Sequence, residues 1–446
     1  MSYRPHLPSV LILSSLAVAV SAGELPAAPT ELGSIRRNER GQLEVFKAPA
    51  ETPPGATATT VVPETVKRAA PGQPPAQKAP AAVASGRTIV VGPLEPVSSI
   101  QEAARIARDG DTVEIRSGEY RQQAVVWTQA RLTIRGVGQR PVLIADGDSA
   151  EGKALWVVRN ADMLIENIEF RGARVPDGNG AAIRFENGHL RVVRCAFFDN
   201  EMGILSGNLA DAVLEVVDSE FGQAPTHAGA LHHLLYAGSI ARLSVRGSRF
   251  QQGFRGHLIK SRARQSDIRY NLIVDGAEGR ASYELEFPNG GLVWVIGNVI
   301  GQSAQTENPD IVSYGAEGQR WPENALYLVH NTLVDQSPGG RFLHLWLEKL
   351  PPGAEVWALN NLLVGLGTFA PQAPGRYDGN VIVDRSALSD RDGLPFALPS
   401  NSLLRGKASS PGFVGEQSLT PSAEFRLPAG SHPLPAGKPL SPGALQ

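Results

Sequence analysis

From GRTIVV at residues 86–91 onward, the chain is built of short stretches in which apolar and polar residues alternate, separated by Gly, Asn and Asp. Period-two alternation marks a β-strand with one buried face. The stretches ending LIENIEF, VVRCAFF, EVVDSEF, SVRGSRF, IRYNLI, VIGNVI, LVHNTL and ALNNLL can be laid over one another. Their last residues are Phe170, Phe197, Phe221, Phe250, Ile273, Ile300, Leu333 and Leu363, all apolar and spaced at intervals in the twenties to low thirties. Five residues before each stands Ile165, Val192, Val216, Val245, Ile268, Val295, Leu328 or Ala358. A repeat of this length made only of short strands predicts a β-solenoid, in which each coil covers the apolar face of its neighbour. Helical repeats would need an apolar period of 3.6, and the absence of a recurring L-x-x-L-x-L register excludes a leucine-rich repeat.

Two residues before the last four aligned positions stand Asn271, Asn298, Asn331 and Asn361, and in earlier coils Cys195, Ser219 and Ser248. Small polar residues at one place in successive coils predict a ladder of stacked side chains bonded to one another and to the turn backbone. Cys195, the only cysteine, then reads as a buried small residue in that column and not as a nucleophile. A solenoid exposes a strand row at each end and needs caps. SSIQEAARIAR at residues 98–108 predicts a short amphipathic helix with a capping box from Ser98 to Gln101, suited to the N-terminal cap. Residues 367–446, rich in Pro, Gly and Ser, predict an irregular C-terminal cap grading into a mobile tail.

Ahead of the solenoid, Arg4 and the apolar run from Leu7 to Val20, with Val20 and Ala22 before a cleavage point, predict a secretory leader over residues 1–22. Residues 23–85, dominated by Pro, Ala and Thr, predict a disordered spacer. The expected location is therefore periplasmic or secreted, with no membrane association after leader cleavage. With 42 Lys and Arg against 44 Asp and Glu, no global field attracts nucleic acid, so a polyanion must be met by a local patch. A monomer is expected.

Polar residues beyond what the architecture needs cluster in three consecutive coils: ALHHLLYAG, FRGHLIKSRAR and RASYELEFPNGG, at residues 230–238, 254–264 and 280–291. Lys260 precedes Asn271 by the same offset as Phe287 precedes Asn298, and Tyr236 precedes Ser248 by one place more. Residues at equal offset one coil apart stack about 4.8 Å from each other. His233, Tyr236, His257, Lys260, Tyr283, Glu284 and Glu286 are thereby predicted to share one lateral patch, with Arg262 and Arg264 at its edge. His232 and His233 are adjacent and face opposite sides of a strand, so one of them at most joins it. His189, His330 and His344 read as structural. No compact His or Cys spacing points to a transition metal. Glu284 and Glu286 stand two apart on one expected strand face, which would allow calcium, although no Asp-rich loop accompanies them.

Such a patch suits β-elimination on a uronate-containing polysaccharide, which needs the carboxylate neutralised, a base for the C5 proton and an acid for the leaving oxygen. The same residue types also describe a solvated, charged solenoid face that binds a glycan without transforming it.

The section from residue 86 to about 366, opening with SSIQEAARIARDGDTVEIRSGEY, resembles the pectin-lyase-like superfamily of right-handed parallel β-helices, which implies an all-β, three-sided solenoid. Within it, HLIKSRARQSDIRYNLIVD and ASYELEFPNGGLVWVIGNVI resemble the alginate lyase and chondroitinase B group. That resemblance implies Lys260, in the Lys260-Ser261 pair, as base. The Arg expected as acid one coil later is replaced at equal offset by Phe287, leaving Arg280 or Arg262 to substitute, and the group's calcium-binding acidic residues are replaced by Phe254, Arg255, Gly256 and His257. The expected function is a polysaccharide lyase-like protein. In it Lys260 is the base, Tyr283, His257 or Tyr236 the proton donor and Arg262 the carboxylate partner, while His233, Tyr236, Arg264, Glu284 and Glu286 bind substrate. A non-catalytic glycan-binding or envelope β-helix and a uronate C5-epimerase are the alternatives.

Overall fold

The computed structural model describes residues 86–227 and 231–446, together with two short strands, Ile35–Arg37 and Leu43–Val45. The expected leader and most of the spacer lie outside the described residues. The chain divides into two units, Met1–Lys78 and Ala79–Gln446. In the first, Ile35–Arg37 and Leu43–Val45 pair antiparallel. The second is a parallel β-solenoid of three sheets with twelve, eleven and nine strands, each strand hydrogen-bonded to its counterparts in the coils before and after. One coil runs through all three: Gln265–Arg269 in the first sheet, Leu272–Val274 in the second, Leu285–Phe287 in the third, then Leu292–Ile296 back in the first. Among the described residues no helix is long and apolar enough to cross a membrane.

The bend from first to second sheet takes two residues, and it fixes the register. Its first residue is left-handed, as in Tyr270 (φ 56°), Gly297 (φ 67°), His330 (φ 52°) and Asn360 (φ 56°). Its second is the column residue. Asn298 Oδ1 accepts from the backbone N–H and from Nδ2 of Asn271, both at 2.9 Å. Its own Nδ2 donates to the Ile268 carbonyl at 2.9 Å and to Asn331 Oδ1 at 3.0 Å. Asn331, Asn361 and Asn380 continue the pattern. In earlier coils the Ser248 and Ser219 hydroxyls each accept the backbone N–H of the column residue one coil before, Ser219 and Cys195, and donate to the carbonyl two residues back. The buried amide thus satisfies itself and the turn, offsetting the order of 1–3 kcal/mol that a non-glycine residue costs in a left-handed position.

Inside the solenoid, Phe170, Phe197, Phe221 and Phe250 stack with centroids 5.2, 4.6 and 4.6 Å apart. Each contributes about 2–3 kcal/mol of burial. The capping helix spans Ile100–Ile106, and the cap is Ser99, whose hydroxyl accepts from the Glu102 N–H at 3.1 Å. That places the cap one residue later than the Ser98 expectation, because Ile100 and Ala103 are the residues that face the core.

The solenoid runs past residue 366, through Gly375–Arg376 and Val381–Val383. The expected mobile tail is instead packed. Leu394, Phe396, Phe425, Ala444 and Leu445 cover the outward residues Leu272, Val299, Val334 and Leu362 of the second sheet. Val414 and Leu419 lie against Trp294, Tyr327 and Trp357 of the first. The reason is the apolar outer face of those late coils, which needs a cover. Neither cluster contains a residue of the third sheet.

Asn298→Ala leaves the Asn271 N–H without its acceptor in a buried turn. The expected loss is on the order of 3 kcal/mol in denaturant unfolding, with Asn298→Ser costing less because serine already fills this column in earlier coils.

Candidate functional site

On the third sheet one residue per strand points outward, and the register sets these residues in a row: Tyr236, Lys260, Glu286, Ser313 and His344. At about 4.8 Å per step the row extends about 19 Å along the solenoid. Three residues ahead of each member stands a second column, His233, His257, Tyr283, Asp310 and Arg341. The His233 and His257 rings stack at 4.5 Å, and His257 and Tyr283 lie 4.9 Å apart. Loops of different length between the second and third sheets deliver this column, and the strand entry aligns it.

The columns are tied by charge. Glu286 Oε2 lies 3.0 Å from Lys260 Nζ and 3.1 Å from His257 Nε2. Burial alone would raise the Glu286 carboxyl, but the His257 and Lys260 nitrogens beside it outweigh that and hold the group at about 2. Burial pushes His257 below its ordinary value, with Glu286 opposing. His233 is driven well below its ordinary value by burial and then by the neighbouring His257 and Lys260 charges. Its Nδ1 accepts the His257 backbone N–H at 2.9 Å, which fixes the ring. With the proton of neutral His257 on Nε2, the nitrogen facing Glu286, the buried Nδ1 keeps a bare lone pair, and that atom has no partner among the described residues. Burial also raises the Tyr283 phenol.

Beside the row, Arg262 donates from Nε to the Tyr236 hydroxyl oxygen at 2.8 Å and from Nη1 to Asn289 Oδ1 at 2.6 Å. Its guanidinium grips Glu317 through both terminal nitrogens, Nη2 at 2.7 Å from Oε1. Lys260 Nζ reaches the same Oε1 at 3.4 Å. One half-exposed carboxylate thus sits in a cradle of Lys260 and Arg262. Farther out Arg264 pairs with Glu323 at 2.7 Å. At the other end His344 Nδ1 meets Asp310 at 2.8 Å, Arg341 pairs with Asp310, and the Trp346 indole donates to Ser313.

The structure brings together eight of the expected residues, His233, Tyr236, His257, Lys260, Arg262, Arg264, Tyr283 and Glu286. His232 turns to the opposite side from His233, as strand alternation requires. Two expectations are corrected. Glu284 is fully buried, neither of its oxygens has a partner among the described residues, and burial followed by Asp275 raises its carboxyl well above the usual range. It lies toward Asp275, while Glu286 meets Lys260 and His257 on the strip, so the two do not stand side by side on one strand face as expected. The equal-offset partner of Lys260 is Glu286, not Phe287, which lies in the core. Three residues join the third and first sheets after Ser261, but four do so after Phe287, so counting back from the ladder slips by one.

Glu317, Asn289, Ser313 and Trp346 were not singled out from the sequence, and His344, read there as structural, stands in the row. Glu317 comes from the loop after Asp310–Tyr314, where no periodicity marks it. Ser313 and His344 could have been found by carrying the row two coils further.

The fold and this row define a parallel β-solenoid with a charged lateral strip on its third face. No protein-family model and no curated protein matches the chain. Among solved structures, pectate lyase Pel9A aligns with a TM-score of 0.46 at 14% identity, over 77% of this chain and 98% of that one. A PL6-family alginate lyase, AlyGC, aligns with a TM-score of 0.45 at 15% identity, over 67% of this chain. The aligned part spans 40% of the AlyGC chain, well under two thirds of its length.

Replacing Glu286 by Gln breaks its buried ion pair with Lys260 and weakens the contact that orients His257. The expected cost is about 3 kcal/mol or more in denaturant unfolding, and a loss under about 1 kcal/mol would show that Lys260 and His257 find other partners.

Proposed function

We propose that the strip binds an acidic, uronate-containing polysaccharide and acts on it by β-elimination. The observation that carries this reading is the Lys260 and Arg262 cradle, which holds an exposed carboxylate, that of Glu317, by ion pairs from both side chains. A uronate carboxylate that displaced Glu317 would meet the same donors, the forked guanidinium being well matched to it. The row of about 19 Å gives room for several sugar units along the solenoid.

The roles are redistributed relative to the family resemblance. Lys260 is engaged by two carboxylates and serves as a carboxylate-binding cation. His257, kept neutral by burial and oriented by Glu286, has the arrangement of a general base. The C5 proton passes to the His257 imidazole, and the C5–H electron pair forms the C4–C5 double bond. The C4–O bond breaks, and the leaving oxygen takes a proton from Tyr236. The Tyr236 oxygen accepts from Arg262, so its own O–H stays free to donate.

A second reading, a glycan-binding solenoid without chemistry, is favoured by the balance of charge in the strip, where Lys260 and Arg262 already have carboxylate partners. Export and the envelope or extracellular location belong to the proposal as well.

Ultraviolet absorbance of product double bonds separates the two readings on a panel of alginate, pectate and glycosaminoglycans. Wild type is expected to raise the absorbance on one polyuronate. His257→Ala should lower kcat by about 10²–10⁴-fold, and Arg262→Ala should mainly raise KM. The base form of His257 persists below its ordinary pKa of 6.5, so the acid limb of kcat/KM should fall below that pH. Retention of binding with no absorbance change on any acidic polymer would transfer the strip to the binding reading.

A further inference from the structure

A second constellation lies one coil away from the strip. Glu201 and His232 each stand four residues ahead of an outward row residue, Leu205 and Tyr236, which pair in register, so they occupy equal places in successive coils. His227 reaches the same point from the loop ahead of His232. One ligand atom from each of Glu201, His227 and His232 lies within 4.8 Å of the other two. His227 Nε2 is 3.6 Å from Glu201 Oε1, and the two imidazole centroids are 4.5 Å apart. Ligand atoms about 2.1 Å from a tetrahedral zinc lie roughly 3.4 Å from one another, so this spacing needs little adjustment.

The individual groups are prepared for ligation. His232 is fully buried, and its Nδ1 lies 2.9 Å from the Pro225 carbonyl, which as an acceptor requires the proton on Nδ1. The Nε2 lone pair is therefore bare, and that buried atom has no partner among the described residues. An imidazole held by a backbone carbonyl on one nitrogen and free on the other is the usual posture of a metal-binding histidine. Glu201 is anchored through Oε2 by the N–H groups of Val175 at 3.1 Å and Gly180 at 2.7 Å, so Oε1 is the oxygen turned to the histidines. On the other side stands Gly256, where a Cβ would come within 2.4 Å of the His232 backbone, so the next coil leaves His232 its place.

We propose that Glu201, His227 and His232 form a divalent transition-metal site, best matched to Zn²⁺. Two imidazole nitrogens and one carboxylate oxygen suit zinc and its neighbours, whereas calcium and magnesium take oxygen ligands almost alone. Three protein ligands leave a fourth position, on the side of half-exposed His227, for water or an incoming group. The site ties the loop carrying His227 to the coil of Glu201, and from His232 it adjoins His233 of the strip. It was invisible to motif reading because Glu201 and His232 stand on different coils, a whole repeat apart in the sequence. The proposal is independent of the lyase reading.

The test uses the untagged full chain, stripped with chelator and titrated with ZnCl₂, read by calorimetry and by elemental analysis after dialysis. One zinc per chain is expected, and Co²⁺ in its place should give the visible absorption of a four-coordinate ion. His232→Ala and His227→Ala should each weaken zinc binding by at least about tenfold. His227 is half-exposed, so its variant should keep the wild-type circular dichroism even if His232→Ala does not fold. Substoichiometric zinc on the wild-type chain, or unchanged affinity in a folded His227→Ala, would overturn the site.

Discussion

Everything on this molecule that can do chemistry depends on the side-chain ladder at the bend between the first and second sheets. A parallel strand can slip by a residue against its neighbour, and such a slip would turn every outward residue inward. The left-handed residue followed by Asn or Ser prevents it, because each amide or hydroxyl accepts the turn N–H of one neighbouring coil and returns a hydrogen bond to the chain. With the bend pinned, strands in all three sheets inherit their register. The contact between Lys260 and Glu286, a full coil apart along the chain, is one result.

The covering of the other two sheets leaves the third as the candidate functional face. Late coils present apolar side chains outward on the first and second sheets, and the C-terminal segment is spent covering them, ending with Ala444 and Leu445 packed on the second. The third sheet carries the polar row. Its members are mostly buried by one another, so their charges act at short range through little water, and the balance is close: Lys260, Arg262 and His257 face Glu286 and Glu317. Within that balance Glu317 differs from Glu286. It lies on a loop and is half-exposed, whereas Glu286 belongs to a strand and is buried.

The solenoid was legible in the sequence because its repeat is carried by residue types with one physical role each: the aligned Phe column, the Asn and Ser column, and the alternation that separates His232 from His233. The charged strip was legible too, since excess polar residues in consecutive coils have no architectural explanation. Its wiring was not. Counting from the ladder placed Phe287 opposite Lys260 because one bend is a residue shorter than the next. Glu284 and Glu286 looked alike on alternation, yet the chain enters the strand at Leu285, and the residue ahead of it lies toward Asp275. Glu317 and the pairing of Glu201 with His232 rest on loop paths and coil-to-coil register, which no local pattern encodes. The packed tail was hidden by its Pro and Gly content, which reports turns without reporting what the few apolar residues between them cover.

The central functional claim is that Lys260 and Arg262 form a carboxylate cradle which Glu317 occupies in place of a substrate group. Its most direct test is calorimetric titration of a short oligouronate into wild type and Glu317→Gln, alongside the methyl ester of the same oligosaccharide. Binding to Glu317→Gln is expected to be tighter than to wild type, with no binding of the ester to either. Equal binding of acid and ester, or weaker binding of the acid to Glu317→Gln, would contradict it.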